Sequence, residues 1–363
     1  MPRLDRLTVC GFKSIRALED FELGALTVLI GPNGAGKSNF IDLFHMLARI
    51  GEQRLQVFVA RQDGPDALMF GGRRRTECIE AEFRFGRNAY RFSLVPARRG
   101  LVFDREETWF FGDSGEYSHD LGSGHQESNL KHADEQRTDT FAPYVRAAMA
   151  GWRVYHFHDT GAAARVRQLQ ALRDERLFKP DAGNLAPFLR RLREHYPEHY
   201  RQIVETVRLA APFFGDFVYR RDAPERIELE WFEADDPDTV RGPRQLSDGT
   251  LRFICLATLL LQPTELQPEL VLVDEPELGL HPFALGLVAE MLAQASEARQ
   301  VIVSTQSSDL VGELAPQHVV IVSRKAGESV FERLDPDRLA DWLKDYALGE
   351  LWKMNVLGGR PDR

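Results

Sequence analysis

Three short stretches of this 363-residue sequence carry residue types and spacings suited to phosphate chemistry. The first, Gly31-Pro32-Asn33-Gly34-Ala35-Gly36-Lys37-Ser38, fits GxxxxGK[ST] and is followed by Asn39. Its glycines let backbone N–H groups turn inward around phosphate oxygens, where side chains would obstruct them. Lys37 can reach the β- and γ-phosphates of a nucleotide, Ser38 can ligate Mg²⁺, and the following helix points its positive end at the anion. Such a pattern arises by chance in about one chain in a hundred of this length, so a glycine turn without a ligand is the weaker reading.

The second stretch is Leu270-Val-Leu-Val-Asp274-Glu275-Pro276, an apolar strand that delivers two adjacent carboxylates at its C-terminal end. Asp274 suits Mg²⁺, directly or through water, and Glu275 suits acceptance of a proton from an attacking water. The third is Gln245-Leu-Ser247-Asp248-Gly249-Thr250 ahead of an apolar helix, a second anion-binding N-terminus. Taken alone it is only a capped helix. Its position changes that, because Ser247 precedes Asp274 by 27 residues.

The elements that must hold these groups follow from apolar periodicity. Residues 6–10 and 25–30 read as strands, and residues 38–50 as a helix through Phe40, Ile41, Phe44, Leu47 and Ala48. Strands are expected at 79–85, 90–96 and 107–111, an exposed polar loop at 112–140, and mainly helix from 162 to 211. Then come a helix at 249–261, a strand at 270–273, a helix at 282–298 and strands at 300–304 and 319–323. The fold class is α/β: a mostly parallel sheet with an antiparallel β-subdomain and an inserted helical lobe. Residues 1–50 and 243–335 form the nucleotide-binding core, 51–242 the inserted lobe, and 336–363 a C-terminal docking segment that includes Trp352 and the Gly358–Gly359 pair.

Composition bounds the alternatives. With 43% hydrophobic and 28% charged residues the chain can bury a substantial core, and a net charge of −9 excludes a uniformly basic nucleic-acid-coating protein. Local basic clusters remain at Arg73–Arg74–Arg75, Arg98–Arg99, Arg165 with Arg167 and Arg173, and Arg190–Arg191 with Arg193. Cys10, Cys78 and Cys255 are too scattered for a zinc site or a disulfide framework. No apolar run approaches the ~20 residues of a membrane span and the N-terminus does not read as a signal peptide, so a cytoplasmic location without membrane partners is expected.

In this order, the P-loop, the LSxG-type signature, the DE strand and a downstream switch resemble ABC-type ATPases. More closely, the chain is similar to the RecF/SMC-like group and its short AAA_21-type predicted ATPases. GFKSI at 11–15, GPNGAGKSN, LSDGTLRF, VDEPELGLHP and STQSSDL carry that similarity, together with YHFHDT at 155–160. The resemblance implies ATP and Mg²⁺ as cofactors and a homodimer with shared ATP sites. In such a dimer Ser247, Asp248 and Gly249 of one copy close over ATP held by Gly31–Asn39 of the other, with 278–281 along the seam. DNA and a separate effector or nuclease protein are the further partners it allows.

Two departures affect turnover. Asp248 stands where glycine is commonest, and Gln306 where the switch histidine is usual. Gln306 can orient water but cannot become cationic near neutral pH. Slow hydrolysis in DNA maintenance, repair or phage defence is the expectation. A non-catalytic ATP-gated switch for a partner effector is the alternative, and a transporter subunit fits less well. Gln62, Gln126 and Gln136 compete for the Q-loop position. His156 and His158 lie at strand spacing and read as a hydrogen-bonded pair in preference to a metal site, while His119, His125 and His132 read as solvated.

Overall fold

A computed structural model describes residues 3–98, 100–136, 139–220 and 225–358. The P-loop strand Leu26–Ile30 lies inside a six-stranded sheet, with Val319–Lys325 on one side and, on the other, Gln300–Thr305, Leu270–Asp274 and Trp152–Tyr155 in turn. These five are parallel, and Glu328–Arg333 adds an antiparallel edge beyond Val319–Lys325.

Both faces of this sheet are buried, which is why its central strands are continuously apolar instead of alternating. Val271, Val273, Val301 and Val303 face one core, with the helices Asp248–Leu261 and Pro282–Ala298. Leu270, Leu272, Ile302 and Leu29 face the other, with the P-loop helix Lys37–Gly51. The period-two split of one strand between two cores fixes its register, since a one-residue slip would exchange every side chain. As a result Asp274 is paired with Ser304 at the carboxyl ends of the strands.

The second core is closed by a six-stranded antiparallel sheet ordered Ile15–Glu22, Leu4–Phe12, Ile79–Phe85, Asn88–Pro96, Leu101–Gly112 and Gly115–Gly122. The expected 51–242 segment is therefore shared. Its strands at 79–122 pair with the N-terminal hairpin, and Trp152–Tyr155 enters the parallel sheet. The rest carries the helices Leu185–His195 and Pro197–Ala210 and a small sheet of Phe214–Val218, Glu230–Glu233 and Asp236–Arg241.

Two expectations are corrected. Residues 112–136 are not a polar loop: Gly115–Gly122 pairs with Leu101–Gly112, and a short helix covers Leu130–Glu135. The strand Gly115–Gly122 is largely exposed, as expected, and is held by backbone pairing, whereas residues 125–129 are drawn inward by a buried carboxylate. Glu106, fully buried, accepts hydrogen bonds from Tyr90 Oη at 2.5 Å, the Asn129 amide at 2.9 Å and the Ser128 hydroxyl. His125, expected to be solvated, stands 2.8 Å from the same carboxylate and stacks on Phe103. These polar residues satisfy a buried charge, which outweighs their preference for water. Residues 137 and 138, Arg99 and Gly359 lie outside the described residues. The second correction is at 162–184, which is not helical apart from one 3₁₀ turn at Arg165–Arg167.

Toward the C-terminus the helix Leu348–Lys353 packs on Ser308–Gly312, with Lys353 Nζ 2.7 Å from Asp309 and Trp352 against the core. Among the described residues no helix is long and apolar enough to cross a membrane.

Candidate functional site

The P-loop leaves its strand and turns directly against the neighbouring strands, and its glycines are required there. A Cβ at Gly31 would sit 2.1 Å from the Val322 carbonyl oxygen. Gly36 holds φ +113°, and a Cβ there would lie 1.9 Å from Ser329 Oγ and 2.8 Å from Ser14 Oγ. Those two serines support the loop from behind. Asn39 Nδ2 donates to Ser14 Oγ at 2.6 Å, Ser14 and Ser329 are 2.6 Å apart, and Ser329 Oγ donates to the Ala35 carbonyl at 2.6 Å. Since Ser329 spends its proton on Ala35, Ser14 must donate to Ser329, and the chain runs in one direction. Sequence reasoning missed this role: Ser14 lies inside GFKSI without an assigned function, and Ser329 belongs to no motif. Arg324 Nη1, also unanticipated, donates to the Gly34 carbonyl at 3.1 Å. Pro32 is half-buried, Ala35 is buried, and Asn33, Gly34 and Ser38 are exposed at the mouth.

Lys37 Nζ donates to the carbonyls of Gly31 at 2.6 Å and Pro32 at 3.2 Å. Burial pushes its ammonium below the ordinary lysine range, while Glu275, Asp274 and Glu277 pull in the opposite direction. These carboxylates come from the end of the adjacent strand but one, so the parallel sheet brings the first two motifs to one mouth.

Asp274 is buried and its Oδ1 has no hydrogen-bond partner. Ser304 Oγ and Glu277 Oε2 are likewise buried and unpartnered. Asp274 Oδ1 and Ser304 Oγ, on residues paired at the strand ends, keep unspent lone pairs of the hard-oxygen kind that Mg²⁺ takes. Glu275 has φ +45°, an uncommon backbone for a non-glycine residue, of the kind that concentrates at functional sites. Its amide donates to the Ser304 carbonyl at 2.8 Å, and its Oε1 lies 3.4 Å from Gln306 Nε2. The Gln306 amide in turn donates to Glu277 Oε1 at 2.9 Å. Burial raises the Glu277 carboxyl above its ordinary range.

His156 and His158 also converge here, which their motif did not disclose. Their rings are 4.3 Å apart, and His156 Nδ1 lies 3.8 Å from Asp274 Oδ2. The two rings are tilted 33° to each other beside the carboxylates, without the hydrogen bond expected between them; among the described residues no group of three or more His, Cys, Asp or Glu could hold a metal.

The signature opens a separate helix, Asp248–Leu261. Ser247 caps it, its Oγ accepting from the Thr250 amide at 3.1 Å. Gly249 lies against residue 279, where an added Cβ would be 2.2 Å from the Gly279 carbonyl oxygen. The 278–281 turn thus packs directly on the signature. Asp248 points toward its own chain: Arg167 Nη2 donates to it at 2.7 Å, and that hydrogen bond holds the carboxyl below its usual range. Arg167 is buried and also donates to the carbonyls of Thr160, Pro243 and Leu246. Because Asp248 is 61% exposed, Asp248→Asn is expected to cost less than about 1 kcal/mol in urea denaturation. A larger loss would mean that the pair organises the signature.

The family model AAA_21, described as "AAA domain, putative AbiEii toxin, Type IV TA system", matches residues 26–312. This chain belongs to that family. As an AAA_21 member it is an ABC/SMC-like P-loop ATPase by family. It is 28% identical over 127 residues to the Old nuclease of Escherichia phage P2, covering 32% of this chain and 22% of the relative. It is 23% identical over 111 residues to a putative ABC transporter ATP-binding protein of Mycoplasma genitalium, covering 30% and 29%. The chain thus spans less than a third of the length of either curated relative. The SMC head bound to the C-winged helix domain of ScpA superposes with TM-score 0.58 at 17% identity, covering 94% of this chain and 100% of that one. The Pyrococcus furiosus Smc head bound to the C-terminal domain of ScpA gives 0.53 at 15%, covering 95% and 99%. The fold of this AAA_21 member is SMC head-like.

The remaining sequence candidates separate. Gln62 Oε1 accepts from Lys13 Nζ at 2.9 Å, and Lys13 also pairs with Asp42 on the P-loop helix at 2.5 Å, so Gln62 is the candidate glutamine tied to that helix. Several cluster arginines have internal partners: Arg73 with Asp66, Arg165 with Asp181, Arg190 with Glu194, and Arg75 over the Phe70 ring.

Proposed function

We propose that the chain binds ATP with Mg²⁺ and hydrolyses it slowly, as a RecF/SMC-like head whose two copies close over shared ATP sites. The observation that carries this is the buried, unpartnered Asp274 Oδ1 beside Glu275, at the mouth that Lys37 occupies. Gly31, Pro32, Asn33, Gly34, Ala35, Gly36, Lys37, Ser38 and Asn39 form the phosphate cradle, with Lys37 on the β- and γ-phosphates. Ser38 and Asp274 would hold Mg²⁺, which neutralises charge on the phosphate oxygens when bound. Glu275 accepts the proton of the attacking water and Gln306 orients that water; without a histidine at 306 the step is slow. Ser247 and Gly249 supply the opposing wall in the partner copy, so an isolated copy hydrolyses poorly.

The wider role we assign is DNA maintenance, repair or phage defence, with DNA or a separate effector or nuclease protein reading the closed state. The name of the phage P2 relative supports the phage setting. Steady-state phosphate release across a range of protein concentrations, with and without duplex DNA, tests the reading. Specific activity should rise with concentration and vanish on Mg²⁺ chelation. Activity per copy that is flat with concentration sinks the shared site. ATP binding without any turnover favours a non-catalytic switch, for which Gln306 speaks.

A further inference from the structure

On the reading just given, Glu275 needs a rigid mount, and its positive φ makes that mount unusual. The sequence places no residue at this task. In the structure His158 Nε2 lies 3.2 Å from the Asp274 carbonyl oxygen, the acceptor of the peptide that joins Asp274 to Glu275. A carbonyl only accepts, so Nε2 carries the proton and His158 donates. The same nitrogen stands 3.9 Å from Glu275 Oε2, on a carboxylate whose other oxygen faces Gln306. His158 is itself fixed. Arg252 of the signature helix donates to the His158 carbonyl at 2.8 Å and to the Phe157 carbonyl at 3.1 Å, and the tilted His156 ring packs against the His158 imidazole at 4.3 Å.

We propose that His158 is a positioning residue for hydrolysis: by holding the Asp274–Glu275 peptide it aims the Glu275 carboxylate at the attacking water. It lies nearer one oxygen of the glutamate while Gln306 lies nearer the other. Its contribution is a directed N–H donor, and an amide at the same position can replace it.

That property gives a test with separable outcomes. In the full chain with Mg²⁺ and ATP, His158→Ala and His158→Asn are expected to lower kcat about tenfold or more with KM and nucleotide affinity unchanged. His158→Gln, whose longer amide returns an N–H near the Nε2 position, is expected to recover most of the rate. Asparagine is too short to reach, and a merely structural role would not distinguish the two amides. Wild-type turnover that depends on Glu275 but is unaltered in His158→Ala overturns the positioning role alone. Equal losses in all three variants, or a loss confined to KM, also overturn it. A wild type no faster than Glu275→Gln overturns the hydrolytic reading, and this inference with it.

Discussion

Replacing Glu275 by glutamine is expected to lower steady-state ATP turnover by about 10²–10⁴-fold while leaving ATP affinity essentially unchanged. The substitution keeps the side chain's length and volume, and its backbone amide still donates to the Ser304 carbonyl. What is lost is the capacity to take a proton, since an amide oxygen is a far weaker base than a carboxylate. Lys37 retains Asp274 and Glu277 as its opposing charges, so the phosphate cradle keeps its electrostatic setting. On the shared-site reading, ATP should then hold the closed pair, and light scattering should show a dimer that ADP does not support. A variant with wild-type turnover would remove Glu275 from the chemistry and leave Gln306 and Glu277 as the groups to examine.

The second large effect is expected from Gly36→Ala. Its Cβ would meet Ser329 Oγ at 1.9 Å and Ser329 Cβ at 2.9 Å, and alanine would have to adopt φ +113°. The conformational strain and the overlap each cost about 1–3 kcal/mol. The chain can relieve them only by moving the loop off Ser329, which breaks the Asn39–Ser14–Ser329–Ala35 hydrogen-bond chain. ATP should therefore give the variant no thermal stabilisation, whereas saturating ATP should stabilise the wild type. Gly34→Ala is the control. It also has positive φ, +79°, yet nothing lies within 4 Å of its added Cβ, so strain alone remains, about 1–2 kcal/mol. If the two variants behave alike, the support by Ser14 and Ser329 contributes nothing to nucleotide binding.

The sequence by itself determined the local half of this protein. The P-loop, the acidic strand end and the signature are each built from contiguous residues, because glycine dihedrals, a strand's carboxyl end and a helix N-terminus are local devices. The elements around them were legible for the same reason: the helix Pro282–Ala298 and the strand Ile79–Phe85 fall where apolar periodicity puts them. Only the tertiary structure decided what comes from distant parts of the chain. Ser329 is 315 residues from the Ser14 it touches, and His158 is 116 residues from Asp274. Their types are ordinary, and no spacing rule links them. Residues 125–129 misled for a related reason: polar composition suggested solvent, but a single buried carboxylate, Glu106, recruits Ser128, Asn129 and His125 into the fold. A hydrogen bond to a buried charge is stronger than its local composition can announce, because its strength comes from the low dielectric that the rest of the chain supplies.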